Sequence, residues 1–215
     1  MNSVLFVRPC HDDVTAYLFF YSKELVNLSL SKGFPTLNRE KADASKEIII
    51  STLSKKDPAF IMFNGHGSPD SICGHNDEVI IQEGDNHFLL KNKIVYSLSC
   101  SSAAGIGMEV SDEKSTFIGY LHDFGLGMDT RCQASIHRDE RAKMFLEPSN
   151  LLVQSLLKGN SAQEAVEKAK ELMKRNLSLL RTDSAPDAKD YIPYLFNNYI
   201  ALTVLGKGEA CLSLS

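Results

Sequence analysis

Apolar residues are spaced along the chain in two ways. Five short stretches are apolar almost throughout: residues 4–7, 59–63, 93–98 (KIVYSL), 116–121 (TFIGYL) and 199–205. Their length, β-rich content and lack of alternation predict strands buried on both faces. Elsewhere the spacing is helical. Residues 14–30 place Leu18, Leu25 and Leu28 at that spacing, with Asp12 or Asp13 ready to cap the N-terminus and Gly33-Phe34-Pro35 ending the segment. Residues 38–56 predict a second helix with Ile48, Ile49 and Leu53 on one face, stopped by Asp57-Pro58. A helix begins within 101–110, and two more cover 141–157 and 161–180, the last with Ser161 and Glu164 spaced as a capping box. Residues 68–92 are irregular apart from a hairpin near 78–82, and residues 122–139 form a long polar loop with two glycines and no period. Loops of that length tend to be functional or mobile.

Strands alternating with helices, and strands without a polar face, predict an α/β fold: a mostly parallel central sheet with helices on both faces, in one domain covering 1–215. Such sheets bind ligands at the carboxyl ends of their strands. Two reactive residue types fall there. In FIMFNGHGSPD, His66 stands between Gly65 and Gly67 directly after an apolar run; Ser99-Cys100 follows the run KIVYSL. The 33 residues between His66 and Cys100 suffice for a crossover, so the two strands can be neighbours.

Composition narrows the classes. With 43% hydrophobic and 23% charged residues over 215 positions, the chain can bury a core. Lys+Arg 23 against Asp+Glu 27 gives a net charge of -4, which argues against a nucleic-acid partner. No apolar run approaches the roughly 20 residues of a membrane span. The N-terminal MNSVLFVRPC has neither the basic start nor the long apolar core of a secretory leader. Five scattered cysteines do not suggest a disulfide framework, so a reducing, cytoplasmic location is expected.

Facing each other, His66 and Cys100 would form a nucleophile–base pair. The imidazole generates or stabilises the thiolate and returns a proton to a leaving amine. The amides of Gly67 and Cys100 are candidate oxyanion donors. Other readings stay open: a turn histidine and a packed cysteine, a zinc set of His66, Cys73, His75 and Cys100, or a thiol-redox protein. The zinc types lack a tight paired spacing, so neither a metal nor a cofactor is expected. No glycine-rich phosphate loop follows the first strand, and there is no G-x-S-x-G elbow.

The pairing of an apolar run with His66-Gly67, then an apolar run with Ser99-Cys100, resembles the caspase-like (clan CD) cysteine peptidases, which include caspases, gingipains, separase and the bacterial CHAT-type proteases. IVYSLSCSSAAG, TFIGYLHDFG, LLVQSLLKGNSAQEAVEKAKEL and NNYIALTVLGKGEACLSL extend the likeness over most of the chain. It departs at His122, where the family loop has Trp, and at Ser101, where many relatives are acidic. The resemblance implies a caspase-like three-layer fold and a cysteine endopeptidase acting on a protein or peptide substrate. It gives His66 as base, Cys100 as nucleophile, and Gly67 and Cys100 as oxyanion donors. Asp123 matches the aspartate that recognises a basic residue in separase-like relatives, and Asp12, Asp13 and Asp129 would add negative field at the same edge. It also implies a regulatory partner protein, as in bacterial defence systems; dimerisation, or self-processing in the arginine-containing loop from His122 to Arg141, would be other routes of control. An inactive caspase-like scaffold is the alternative.

Overall fold

The computed structural model describes residues 2–213. A six-stranded sheet runs through its centre in the order β2 (Thr36–Glu40), β1 (Val4–Arg8), β3 (Phe60–Asn64), β6 (Ile94–Leu98), β7 (Thr116–Tyr120), β8 (Leu202–Gly206). All neighbours are parallel except β7 and β8. Every residue of β1, β3, β6 and β7 is buried, as the unbroken apolar runs predict. Alternate side chains feed two cores. Val4, Phe6, Phe60, Met62, Tyr96 and Ile118 face one, with α1 (Asp13–Ser31), α4 (Glu140–Leu157), α5 (Ala162–Thr182) and α6 (Ile192–Ala201). Leu5, Val7, Ile61, Phe63, Val95 and Phe117 face the other, with α2 (Lys46–Lys56), α3 (Ile106–Val110) and the hairpin of β4 (Ser71–Cys73) and β5 (Val79–Gln82). The result is the three-layer, mostly parallel α/β sandwich that the sequence predicts.

Three boundaries differ. The helix expected over 38–56 begins only at Lys46; the residues before it include the edge strand β2. An edge strand is not enclosed on every side, so TLNRE carries no apolar run to reveal it. Its polar residues have a partner instead. The guanidinium of Arg8, buried in the sheet, donates to Asn38 (3.3 Å) and Glu40 (3.1 Å), as well as to Ser22 (2.8 Å) and the Phe19 carbonyl (2.6 Å). The helix expected within 101–110 is confined to Ile106–Val110, and Ser101 adopts a left-handed φ of 52°. The strand expected from 199 starts at Leu202, because residues 192–201 form α6, with Pro193 in its first turn. The two predicted caps hold: Asp12 caps α1, and Ser161 with Glu164 forms the capping box of α5.

Candidate active site

Strands β3 and β6 are parallel neighbours, with Asn64 opposite Leu98. Their carboxyl ends deliver His66 and Cys100 to one edge of the sheet, each two residues past the last pair. Gly65 turns the chain out of β3 with φ +150°, which L-residues avoid, while its amide still donates to Leu98 (3.3 Å). Gly67 is glycine for a different reason. A Cβ there would lie 3.0 Å from the Ser99 side chain and 2.8 Å from the Ser71 carbonyl. The His-Gly turn is therefore pressed against the residue preceding Cys100. Among the described residues, neither the Gly67 nor the Cys100 amide donates to a protein acceptor, so both N–H groups are available at this edge.

His66 is not hydrogen-bonded to Cys100. Its Nε2 donates to Asp12 Oδ2 at 2.6 Å. With Nε2 carrying the proton, Nδ1 is the basic nitrogen of the neutral ring. Asp12 is anchored by its other oxygen, which accepts from the Thr15 amide and hydroxyl, both at 2.7 Å. Burial pushes this carboxyl upward, but the Thr15 and His66 hydrogen bonds outweigh it and hold it at about 2. The group thus stays ionised beside the imidazole across the physiological range. Sequence reasoning found the cap but not this second contact; the adjacency of His11-Asp12 to the end of β1, next to β3, is the signal that was available.

Cys100 is half-buried, and its Sγ lies 4.0 Å from the Phe124 carbonyl. Burial raises its thiol above the ordinary 9.0, and the nearby Asp123 carboxylate raises it further. Iodoacetamide labelling of Cys100, followed by peptide mass spectrometry, is therefore expected to accelerate with pH beyond 9, since thiolate is the attacking form. A plateau below pH 7 would contradict that environment.

Asp123 lies beside Ser101, the residue after Cys100, its carboxylate accepting from the Ser101 hydroxyl at 2.7 Å. Two asparagines of α6 hold this segment: Asn197 donates to the Asp123 carbonyl (2.8 Å), and buried Asn198 binds both the N–H and the carbonyl of Gly125 (2.8 and 2.7 Å). Their place in the sequence, inside a stretch read as the approach to a strand, concealed them. The other proposed field contributors are partnered. Asp129 forms a bidentate pair with Arg131 (2.8 and 2.7 Å), and Asp13 accepts from Gln133 (3.0 Å). The possible zinc set of His66, Cys73, His75 and Cys100 is not gathered within ligating distance among the described residues.

The sheet order and the two helical layers are those of a caspase-like α/β fold. Among solved structures, the chain is similar to the Arg specific cysteine proteinase gingipain R (RgpB), with a TM-score of 0.65 and 9% identity over 98% of this chain and 47% of that one. It is also similar to the complex of the pro- and mature domains of RgpB from Porphyromonas gingivalis, with a TM-score of 0.58 and 9% identity over 96% and 47%. The chain therefore spans about half the length of these structures. No protein-family model matches the sequence, and no curated protein matches it significantly. Among the described residues, no helix is long and apolar enough to cross a membrane.

Proposed function

We propose that the chain is a cysteine endopeptidase in which Cys100 is the nucleophile and His66 the general base and acid, with Asp12 orienting the ring. The observation that carries this reading is the placement of His66-Gly67 and Ser99-Cys100 at the ends of adjacent parallel strands. The Cys100 thiolate attacks the scissile carbonyl. The amides of Gly67 and Cys100 receive the oxyanion. His66 passes the thiol's proton to the leaving amine, and water then cleaves the thioester. Asp12 stabilises the imidazolium formed in between.

The geometry suits a resting state: the thiol is protonated, and the imidazole is held by Asp12. A partner protein that draws the two together would switch the enzyme on, in keeping with the regulated, defence-type setting of CHAT-type proteases and with a gingipain solved with its pro-domain. Asp123 supports a preference for Arg or Lys on the acyl side of the cut, because its carboxylate is exposed and one residue removed from Cys100 through Ser101.

A fluorogenic peptide library tests the reading. The expected result is hydrolysis after Arg or Lys, slowed about tenfold or more by Asp123→Asn through loss of a charge-assisted contact. Preference for an acidic or apolar residue, unchanged in that variant, would sink the assignment of Asp123.

A further inference from the structure

Beside the candidate active site, and touching it at Asp12 and His66, stand three side chains with no role in the peptidase reading: His11, His75 and Asp77. His11 follows β1, and its side chain is only 9% exposed. Its ring packs edge-on against two other imidazoles, His66 at 6.0 Å and His75 at 5.3 Å between centroids. Its Nε2 faces two carboxylates, Asp77 at 3.2 Å and Asp12 at 4.0 Å. Its Nδ1 is buried and has no partner among the described residues. A histidine buried for packing alone is normally satisfied at both nitrogens; this one is satisfied at one, on the side where the anions converge.

We propose that His11, Asp12 and His66 bind one divalent transition-metal ion, for which zinc fits best, and that the bound ion withholds His66 from Cys100. One ligand atom from each of the three residues lies within 4.8 Å of the others. Tetrahedral zinc with bonds of about 2.0–2.1 Å sets its donors roughly 3.3–3.4 Å apart. The present separations of 2.6 Å (His66 to Asp12) and 4.0 Å (His11 to Asp12) bracket that spacing, so small side-chain shifts suffice. Asp12 is already ionised and fixed by Thr15 through its other oxygen. Asp77, exposed on the turn before β5, is placed to take the fourth position or to hold a bound water. Two imidazoles with one carboxylate suit zinc-class ions over calcium or magnesium, which prefer all-oxygen sites.

The ion would occupy His66 Nε2, and the proton now given to Asp12 would pass to Nδ1, leaving the ring no basic nitrogen for the Cys100 thiol. The ring would then be tethered on the side of β1, away from β6, and the chain would be metal-inhibited. This consequence rests on the peptidase reading; the site itself does not.

The test titrates zinc chloride into the full chain by calorimetry, in a Cys100→Ala background that removes the thiol of the candidate nucleophile. One ion per chain is expected. His11→Gln and His66→Gln should each weaken binding about tenfold or more, at least the cost of disturbing a ligand's outer partner, whereas Cys73→Ser and His75→Gln leave it unchanged. Circular dichroism of each variant confirms the fold, and His66, more exposed than His11, is the safer of the two changes. Failure of the wild type to bind, unchanged affinity in His11→Gln, or loss in Cys73→Ser instead, would each overturn the site. A second arm measures peptide hydrolysis by the chain with Cys100 intact. Zinc should inhibit it, a chelator should restore it, and His11→Gln should need about tenfold more zinc. Hydrolysis undiminished at saturating zinc overturns the inhibitory role. Zinc binding by a chain that cleaves no peptide upholds the site and overturns the peptidase reading with its inhibition.

Discussion

Cys100→Ala is expected to lower peptide hydrolysis by about 10³-fold or more, and His66→Ala by a similar factor, because a nucleophile and its base act as one unit. For the same reason the double variant should be no slower than either single change. The argument is topological before it is chemical. The register of β3 against β6 brings the two strand ends side by side, with His66 and Cys100 each two residues beyond the last pair. The substitutions should leave the fold intact, since His66 is partly exposed and Cys100 lies outside the strands. The assay compares the wild type, the two single variants and the double variant on an Arg-containing fluorogenic peptide, with thermal unfolding as a control. Variants as fast as the wild type would remove the pair from the mechanism.

Asp139→Ala is expected to cost about 3 kcal/mol of stability, the sum of a lost helix cap and stranded buried donors. Asp139 is 1% exposed and accepts three hydrogen bonds: from the Tyr17 hydroxyl (2.8 Å), the Asp129 amide (2.8 Å) and the Ala142 amide at the start of α4 (2.9 Å). Burial and the neighbouring Asp139 push the Tyr17 phenol far up, so the hydroxyl remains a donor. This carboxylate joins α1, α4 and the segment that leads back to Phe124, beside Cys100. For a chain of this size the loss corresponds to a fall in Tm of roughly 6–12 °C. Limited proteolysis should cut at Arg131 and Arg138 sooner in the variant, because the segment carrying them hangs on Asp139. A wild-type melting temperature and digestion pattern would show that it hangs elsewhere. Asp139→Asn should fall between the two, keeping one acceptor oxygen but turning an N–H toward other donors.

What was legible in the sequence was whatever burial writes into it. Four central strands, fully enclosed, appear as apolar runs, and α1, α4 and α5 appear as helical stripes closed by caps. The same enclosure put His66 and Cys100 at the ends of runs, so both could be picked out before their strands were known to be adjacent. Elements held by polar contacts left no such trace. Strand β2 is secured by the guanidinium of Arg8, and α6 matters here for two asparagines that grip the 123–125 backbone. Asp12 was legible as a helix cap, but its hold on His66 depends on a contact across 54 positions, which no local pattern encodes.

Position 12 therefore answers to two demands of unequal strictness. As the cap of a helix, Asp can be exchanged for Ser, Thr or Asn at little cost. As the anion beside an imidazole, it has no neutral substitute. Drift at this position would be permitted by folding and opposed by chemistry, so the residue retained there in a lineage would report whether the site is still in use, even where the rest of the sequence has diverged past recognition.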